Sequence, residues 1–276
     1  MPLYINTNVA SLNAQKNLNK AQSALQTSFQ RLSSGFRVNS ASDDAAGLGV
    51  SESLKSRIRS FKVAERNTSN AISMANTAEG GLNEISGIVI RMRELAVQSA
   101  NGDLTSTDRG YVNTEFALLK EEIDRLAEST EFNGKELLAG ATTSISFQVG
   151  INTTTFDTIS VNFGGISVSS LGLSGITVSG ATSANATAAI SAIDAALGAV
   201  STSRAEFGAA ANRLGIAVAN SQTMRTNLEA ANSVIRDVDV ASETAHLARS
   251  QVLLQAGTSV LAQANQTPVL ALSLLR

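Results

Sequence analysis

The chain has 276 residues, of which 21 are basic and 23 acidic, so its net charge is −2. This balance offers no excess of positive charge for nucleic-acid binding. Cysteine is absent and His246 is the only histidine, which excludes multi-histidine or cysteine metal centres and thiol nucleophiles. We therefore predict no enzyme activity, no cofactor and no metal.

Two further absences in the sequence bear on its location. No stretch approaches the roughly 18 consecutive apolar residues that cross a bilayer, and the N-terminus carries neither a basic start nor an apolar core of a secretory signal. We expect no membrane insertion, and either a cytosolic location or export without a cleaved signal. The two prolines, Pro2 and Pro268, lie near the ends and leave the interior available for long helices.

The first predicted helix spans residues 5–32. Its leucines recur every seven residues, which is typical of a helix that pairs with another helix; they are Leu18, Leu25 and Leu32. Gly35 is expected to end this helix, and Ser42 or Asp43 to cap the next one.

Two more helices are predicted before the middle of the chain. The second covers about 44–100, with an apolar stripe in steps of three and four from Ile72 to Ser99. Thr105 and Asp108 have the spacing of a capping box and begin the third helix, which is expected to end before Asn133-Gly134.

The composition then changes sharply. Asp157 is the only charged residue between 137 and 193, and apolar and polar residues alternate in 145–149 and 159–163. This alternation predicts one or two hairpins within a β-rich segment at about 141–180.

Helical spacing returns at about Ala186 and continues for roughly fifty residues, or about 75 Å. A last helix again has apolar residues seven apart, at Val240, Leu247, Leu254 and Leu261. We expect the two heptad segments at the ends of the chain to pair with each other. The predicted fold class is mainly α: a long antiparallel helical bundle or coiled coil with a small β-hairpin segment at mid-chain. Such a low-charge rod leaves apolar surface for partners, as a polymer subunit would.

Several long motifs resemble bacterial flagellin. They are INTNVASLNA (5–14), LSSGFRVNSASDDAAGLGVSE (32–52), RMRELAVQSANG (91–102), EFNGKELL (131–138), QAGTSVLAQANQTP (255–268) and LSLLR (272–276). They lie within 1–138 and 205–276.

The resemblance implies a secreted subunit of the extracellular flagellar filament, exported unfolded through a type III channel and used for swimming motility. It implies an inner-tube domain (D0) from 1–42 with 238–276, and an outer-tube domain (D1) at 43–237. The variable outer domains of larger family members have no room here. Implied partners are further copies of the chain, the filament cap, hook-associated junction proteins and the flagellin export chaperone.

The resemblance also implies sites. Arg91, Leu95 and Glu115 match the surface that Toll-like receptor 5 recognises in the family, although subunit packing explains them equally well. Leu272, Leu274 and Leu275 match a portion sensed by cytosolic receptors, and packing around the central channel is the alternative.

Two other functions stay open at this point. A hook–filament junction protein of the same superfamily has similar termini, and a surface-displayed adhesin could present the Ser/Thr-rich middle. The motifs at 91–102 and 255–268 favour flagellin itself.

Overall fold

A computed structural model describes residues 7–273, with side chains described for 7–266. Five helices occupy this part of the chain: α1 (Val9–Ser34), α2 (Ala45–Ser99), α3 (Ser106–Ser129), α4 (Ala184–Arg236) and α5 (Val240–Ser273). Its four strands are β1 (Glu131–Phe132), β2 (Lys135–Glu136), β3 (Thr143–Gln148) and β4 (Thr158–Phe163). The predicted fold class is confirmed.

The chain divides into two compact units. One, the terminal unit, combines Met1–Ile58 with Thr226–Arg276, and the other, the central unit, is Arg59–Arg225. The terminal unit is thus built from both ends of the chain.

Local sequence signals determine where the first helices end and begin. Gly35 adopts a φ of 75° and ends α1 as predicted. The cap of α2 differs from the prediction: Asp44 Oδ1 accepts a hydrogen bond from the Gly47 N–H at 2.8 Å, because Asp43 is occupied in the preceding turn, where it accepts from the Ser40 N–H.

The capping box of α3 forms as predicted. Thr105 and Asp108 exchange side-chain to main-chain hydrogen bonds. The hydrogen bond from the Thr105 hydroxyl, and then that from its N–H, lowers the pKa of Asp108 below its ordinary value.

The core of the central unit collects apolar side chains from α2, α3, α4 and the segment between α3 and α4. The predicted stripe on α2 is buried from Ala75 to Ser99, and Ile72 is half-buried. Ion pairs join α2 to α4 in antiparallel order: Arg225 with Glu65 at 2.9 Å, Arg204 with Glu79 at 3.2 Å and Arg93 with Asp194 at 2.6 Å. The hydrogen bond from Arg93 lowers the pKa of Asp194.

The described part of the chain contains two hairpins. β1 pairs with β2 across Asn133-Gly134, whose φ angles of 52° and 73° are those of a tight hairpin turn. β3 pairs with β4 in the register Ile145 to Val161. The β-rich segment is therefore shorter than the predicted 141–180, because pairing in this segment covers only the two strands within 143–163.

Residues 164–183, called the strap below, carry no strand but are well packed. Their buried apolar side chains are Ile166, Val168, Leu171, Leu173 and Val178. Side chains of α3 bind the main chain of the strap at distances of 2.8 to 3.3 Å. These pairs are Arg109 with the Ala181 carbonyl, Asn113 with the Val178 N–H, Lys120 with the Ile176 carbonyl and Asp124 with the Val168 N–H.

One described helix, α4, is long and apolar enough to span a membrane by length and composition, with an 18-residue window of mean hydropathy 1.2. The expectation of no membrane insertion rested on the absence of long uninterrupted apolar runs, and the mean hydropathy of α4 qualifies it. Ala189, Ile193 and Ala196 of this helix lie in the core of the central unit, while 28% of the apolar window as a whole is buried.

Candidate subunit-packing surfaces

The two terminal helices pack against each other in antiparallel order within the terminal unit. Near one end of the pair, the Asn8 side-chain amide donates to the Ala264 carbonyl at 2.8 Å. Near the other end, the Ser28 hydroxyl donates to Glu243 at 2.5 Å. The predicted pairing of the N- and C-terminal heptads therefore exists in the structure.

The predicted heptad residues take different positions in this pair. Leu18, Leu25 and Leu32 of α1 and Leu247, Leu254 and Leu261 of α5 are half-buried. Val240 is 58% exposed, so its inclusion in the interface is wrong. The first buried residue of α5 is Glu243. Heptad spacing from Glu243 leads to Ser250, which is buried, and to Gly257, which is half-buried, and it does not include Val240.

Polar side chains lie inside the helix pair and were missed by the apolar pattern. Glu243 is 7% exposed and also lies 3.6 Å from Arg31, while the Ser11 hydroxyl donates to Asn265 at 2.7 Å. A partner in the wrong register would leave these groups unpaired, so they help to specify the alignment of the helices. Ser11 lies seven residues before Leu18, and Ser28 lies three residues after Leu25 and four before Leu32, so helical spacing on the face of the leucines was the available signal.

An apolar groove of about 530 Å³ runs between α1 and α5. Leu253 and Val260, which are 51% and 58% exposed, line one side of it. The helices approach closely beside it, because a Cβ built on Gly257 would lie 3.0 Å from Leu18 Cδ1. The groove offers apolar surface that a second helical partner can cover.

Arg91 lies on the surface of the central unit between two carboxylates. Its guanidinium is 2.8 Å from Glu94 on α2 and 2.9 Å from Glu115 on α3. The hydrogen bonds to Glu94 and then to Glu115 raise the pKa of Arg91. All three side chains are about half exposed, so the ion pairs contribute little stability but present a fixed charged surface. The structure thus brings together two of the three predicted residues.

Leu95, the third, is 2% exposed and belongs to the core. Its assignment to an exposed surface is wrong. Four-residue spacing places Leu95 near Arg91 on α2, but the core residues contributed by α3 and α4 widen the buried arc of α2 to include it.

The remaining predicted residues fall at the C-terminus. Leu274 and Leu275 lie outside the described residues, as does the side chain of Leu272. Among the described residues no group of three or more His, Cys, Asp or Glu side chains could hold a metal ion.

Comparison with protein families gives two matches. Residues 5–143 match the bacterial flagellin N-terminal helical region, and residues 190–275 match the bacterial flagellin C-terminal helical region. The unmatched stretch between them contains the strap and all of the β3–β4 hairpin except Thr143.

Individual relatives extend over the whole chain. A flagellin of Halalkalibacterium halodurans is 41% identical over 274 residues, covering 99% of this chain and 100% of the relative. The flagellar filament 33 kDa core protein of Treponema phagedenis is 38% identical with the same coverage. A solved structure from Vibrio parahaemolyticus, described as a candidate flagellar hook-associated protein, has a TM-score of 0.60 at 18% identity, covering 70% of this chain and 99% of that one. The last similarity concerns the fold alone.

Proposed function

Because this chain belongs to the bacterial flagellin family, we propose that it is the structural subunit that polymerises into a flagellar filament. The observation that carries the proposal is the 41% identity to a flagellin over 99% of this chain and 100% of the relative. The relative of similar identity is itself named a filament core protein.

The terminal helix pair supports assembly with further copies of the same chain. Apolar side chains stand exposed on both helices, and each would gain about 25 cal/mol per Å² of apolar area covered by a neighbour. They are Val9, Leu12, Phe29, Val252, Leu253 and Val260. We assign residues 1–42 with 238–276 to the inner tube of the filament and residues 43–237 to the outer tube.

The finer aspects of this function are proposals of the same kind. They include export of the chain through the flagellar type III channel and an extracellular location. They also include encounters with the filament cap, the hook-associated junction proteins and the export chaperone. The charged surface of Arg91 and Glu115, without Leu95, is proposed as both a packing surface and a contact for Toll-like receptor 5.

Seeded elongation tests the central proposal. Purified chain is added to short filament fragments, and filament length is followed by negative-stain electron microscopy. Elongation is expected. Amorphous aggregate with seeds of unchanged length would contradict the polymer function, and a chain that adds only one layer to the seeds would indicate a junction protein instead.

A pair of matched variants locates the interface. Leu253→Ser removes apolar surface from the groove, whereas Val234→Ser changes an 81% exposed side chain on α4 of the same unit. Both exposed substitutions should leave the subunit folded, and only Leu253→Ser should raise the subunit concentration needed for elongation. Equal elongation by the two variants would refute a packing role for the groove. Deletion of residues 1–42 should give a soluble, folded monomer that does not polymerise.

A further inference from the structure

Asn101 and Gly102 connect the end of α2 to α3. The Gly102 N–H donates to the side-chain oxygen of Asn101 itself, at 3.0 Å. The main chain of Asn101 is held on both sides, since its N–H donates to the Gln98 carbonyl and its carbonyl accepts from Arg109 at 2.9 Å. The asparagine side chain is thereby folded back over the following amide, and both residues are exposed to water.

We propose that Asn101 is a site of spontaneous deamidation in the folded protein, by ring closure onto the main-chain nitrogen of Gly102. The hydrogen bond brings this nitrogen beside the carbon that carries Oδ1, which is the atom it must attack. A Cβ built on Gly102 would meet nothing within 4 Å, so the side of Gly102 where a side chain would stand is open. Because the hydrogen bond already holds the Asn101 side chain near the nitrogen, ring closure does not depend on a search over side-chain rotamers.

The reaction balances with water as the only co-reactant. A base, hydroxide or a buffer anion, removes the Gly102 amide proton, and the nitrogen forms a bond to Cγ of Asn101. The side-chain nitrogen takes up a proton and leaves as ammonia, which gives a five-membered succinimide. Water then opens the ring at either carbonyl and leaves aspartate or isoaspartate at position 101. Arg109 binds the carbonyl of this residue, so the new carboxylate arises beside a buried guanidinium.

The chain contains a matched asparagine for comparison. Asn133 also precedes a glycine and is exposed, but it lies in the turn between β1 and β2. Among the described residues no hydrogen bond joins the Gly134 N–H to the Asn133 side chain, so Asn133 lacks the positioning that holds the Asn101 side chain against Gly102. Asn133 should therefore react on the order of tenfold or more slowly than Asn101 in the folded chain.

Peptide mapping of the full chain tests the proposal. The folded protein is incubated at mildly alkaline pH, and a second sample is incubated in denaturant. Trypsin then releases peptides 94–109 and 126–135, which contain one asparagine each. Mass spectrometry should show aspartate and isoaspartate accumulating in 94–109 of the folded sample well before 126–135. In denaturant the two peptides should react at similar rates.

Gly102→Ala is the control variant. The φ of Gly102 lies outside the left-handed region and its surroundings are open, so alanine should preserve the fold while its methyl group slows ring closure by about tenfold. Three results would overturn the proposal: equal or faster reaction at Asn133 in the folded chain, an unmodified 94–109 peptide that reacts only in denaturant, or aspartate without isoaspartate. The proposal is independent of filament assembly, because the reaction belongs to the central unit of the single chain.

Discussion

Replacing Leu95 by alanine removes three carbon atoms from a side chain that is 2% exposed. At about 0.8 kcal/mol per buried methylene, the lost transfer energy is about 2.4 kcal/mol. The cavity left in the core adds to this, and the total should lie at about 3 to 4 kcal/mol, within the range seen for buried leucines. The matched substitution is Val97→Ala on the same helix, at a side chain that is 50% exposed.

The two variants separate a core position from a surface position. Val97→Ala loses roughly half of two methylenes, about 0.8 kcal/mol, and regains a few tenths to about 0.5 kcal/mol in helix propensity, so its stability should hardly change. Urea unfolding of the full chain, followed by far-ultraviolet circular dichroism, should show a clearly lower midpoint for Leu95→Ala alone. Coincident unfolding curves for the two variants would refute the burial of Leu95 and would support its assignment to the exposed surface around Arg91.

Three further outcomes follow from individual contacts. Arg109→Lys should destabilise the central unit by roughly 2 to 4 kcal/mol in thermal unfolding, because a single ammonium cannot reach the carbonyls of Ser99, Asn101 and Ala181 together as the planar guanidinium does; wild-type stability would contradict this. Gly257→Val should weaken the terminal helix pair by about 1 to 3 kcal/mol through overlap with Leu18, seen as faster amide exchange in α1. Asp108 and Asp194 have lowered pKa values in the folded chain, so their stabilisation is present above roughly pH 4 and is lost as the pH falls through the folded values; Asp108→Asn should reduce the acid-induced drop in melting temperature, and an unchanged drop would count against it.

The long helices were predictable because their apolar spacing repeats over many turns. The stripe on α2 and the leucines of α1 keep helical spacing throughout. Gly35 marks the end of α1 and Thr105 the start of α3, each through its local geometry. The pairing of the chain ends followed from two heptad segments with no other partner of equal length.

Other features left no periodic signal. β1 and β2 have two residues each and expose most of their side chains, so no alternation marks them; only Asn133-Gly134 could have indicated a hairpin. Glu243 reads as a solvent-facing charge in sequence, and its burial depends on Ser28 and Arg31, which are distant in the chain. Leu95 shows that spacing on one helix cannot determine how many neighbours pack around it.

The four hydrogen bonds from side chains of α3 to the main chain of the strap form a clasp. The clasp constrains sequence change in α3 and in the strap differently. Arg109, Asn113, Lys120 and Asp124 each bind a main-chain group, which every residue type except proline at an N–H position provides. Mutations in the solvent-facing positions of the strap therefore leave the clasp intact, whereas mutations in these four side chains do not. We expect the strap to tolerate sequence drift at its exposed positions while α3 preserves its path across the central unit.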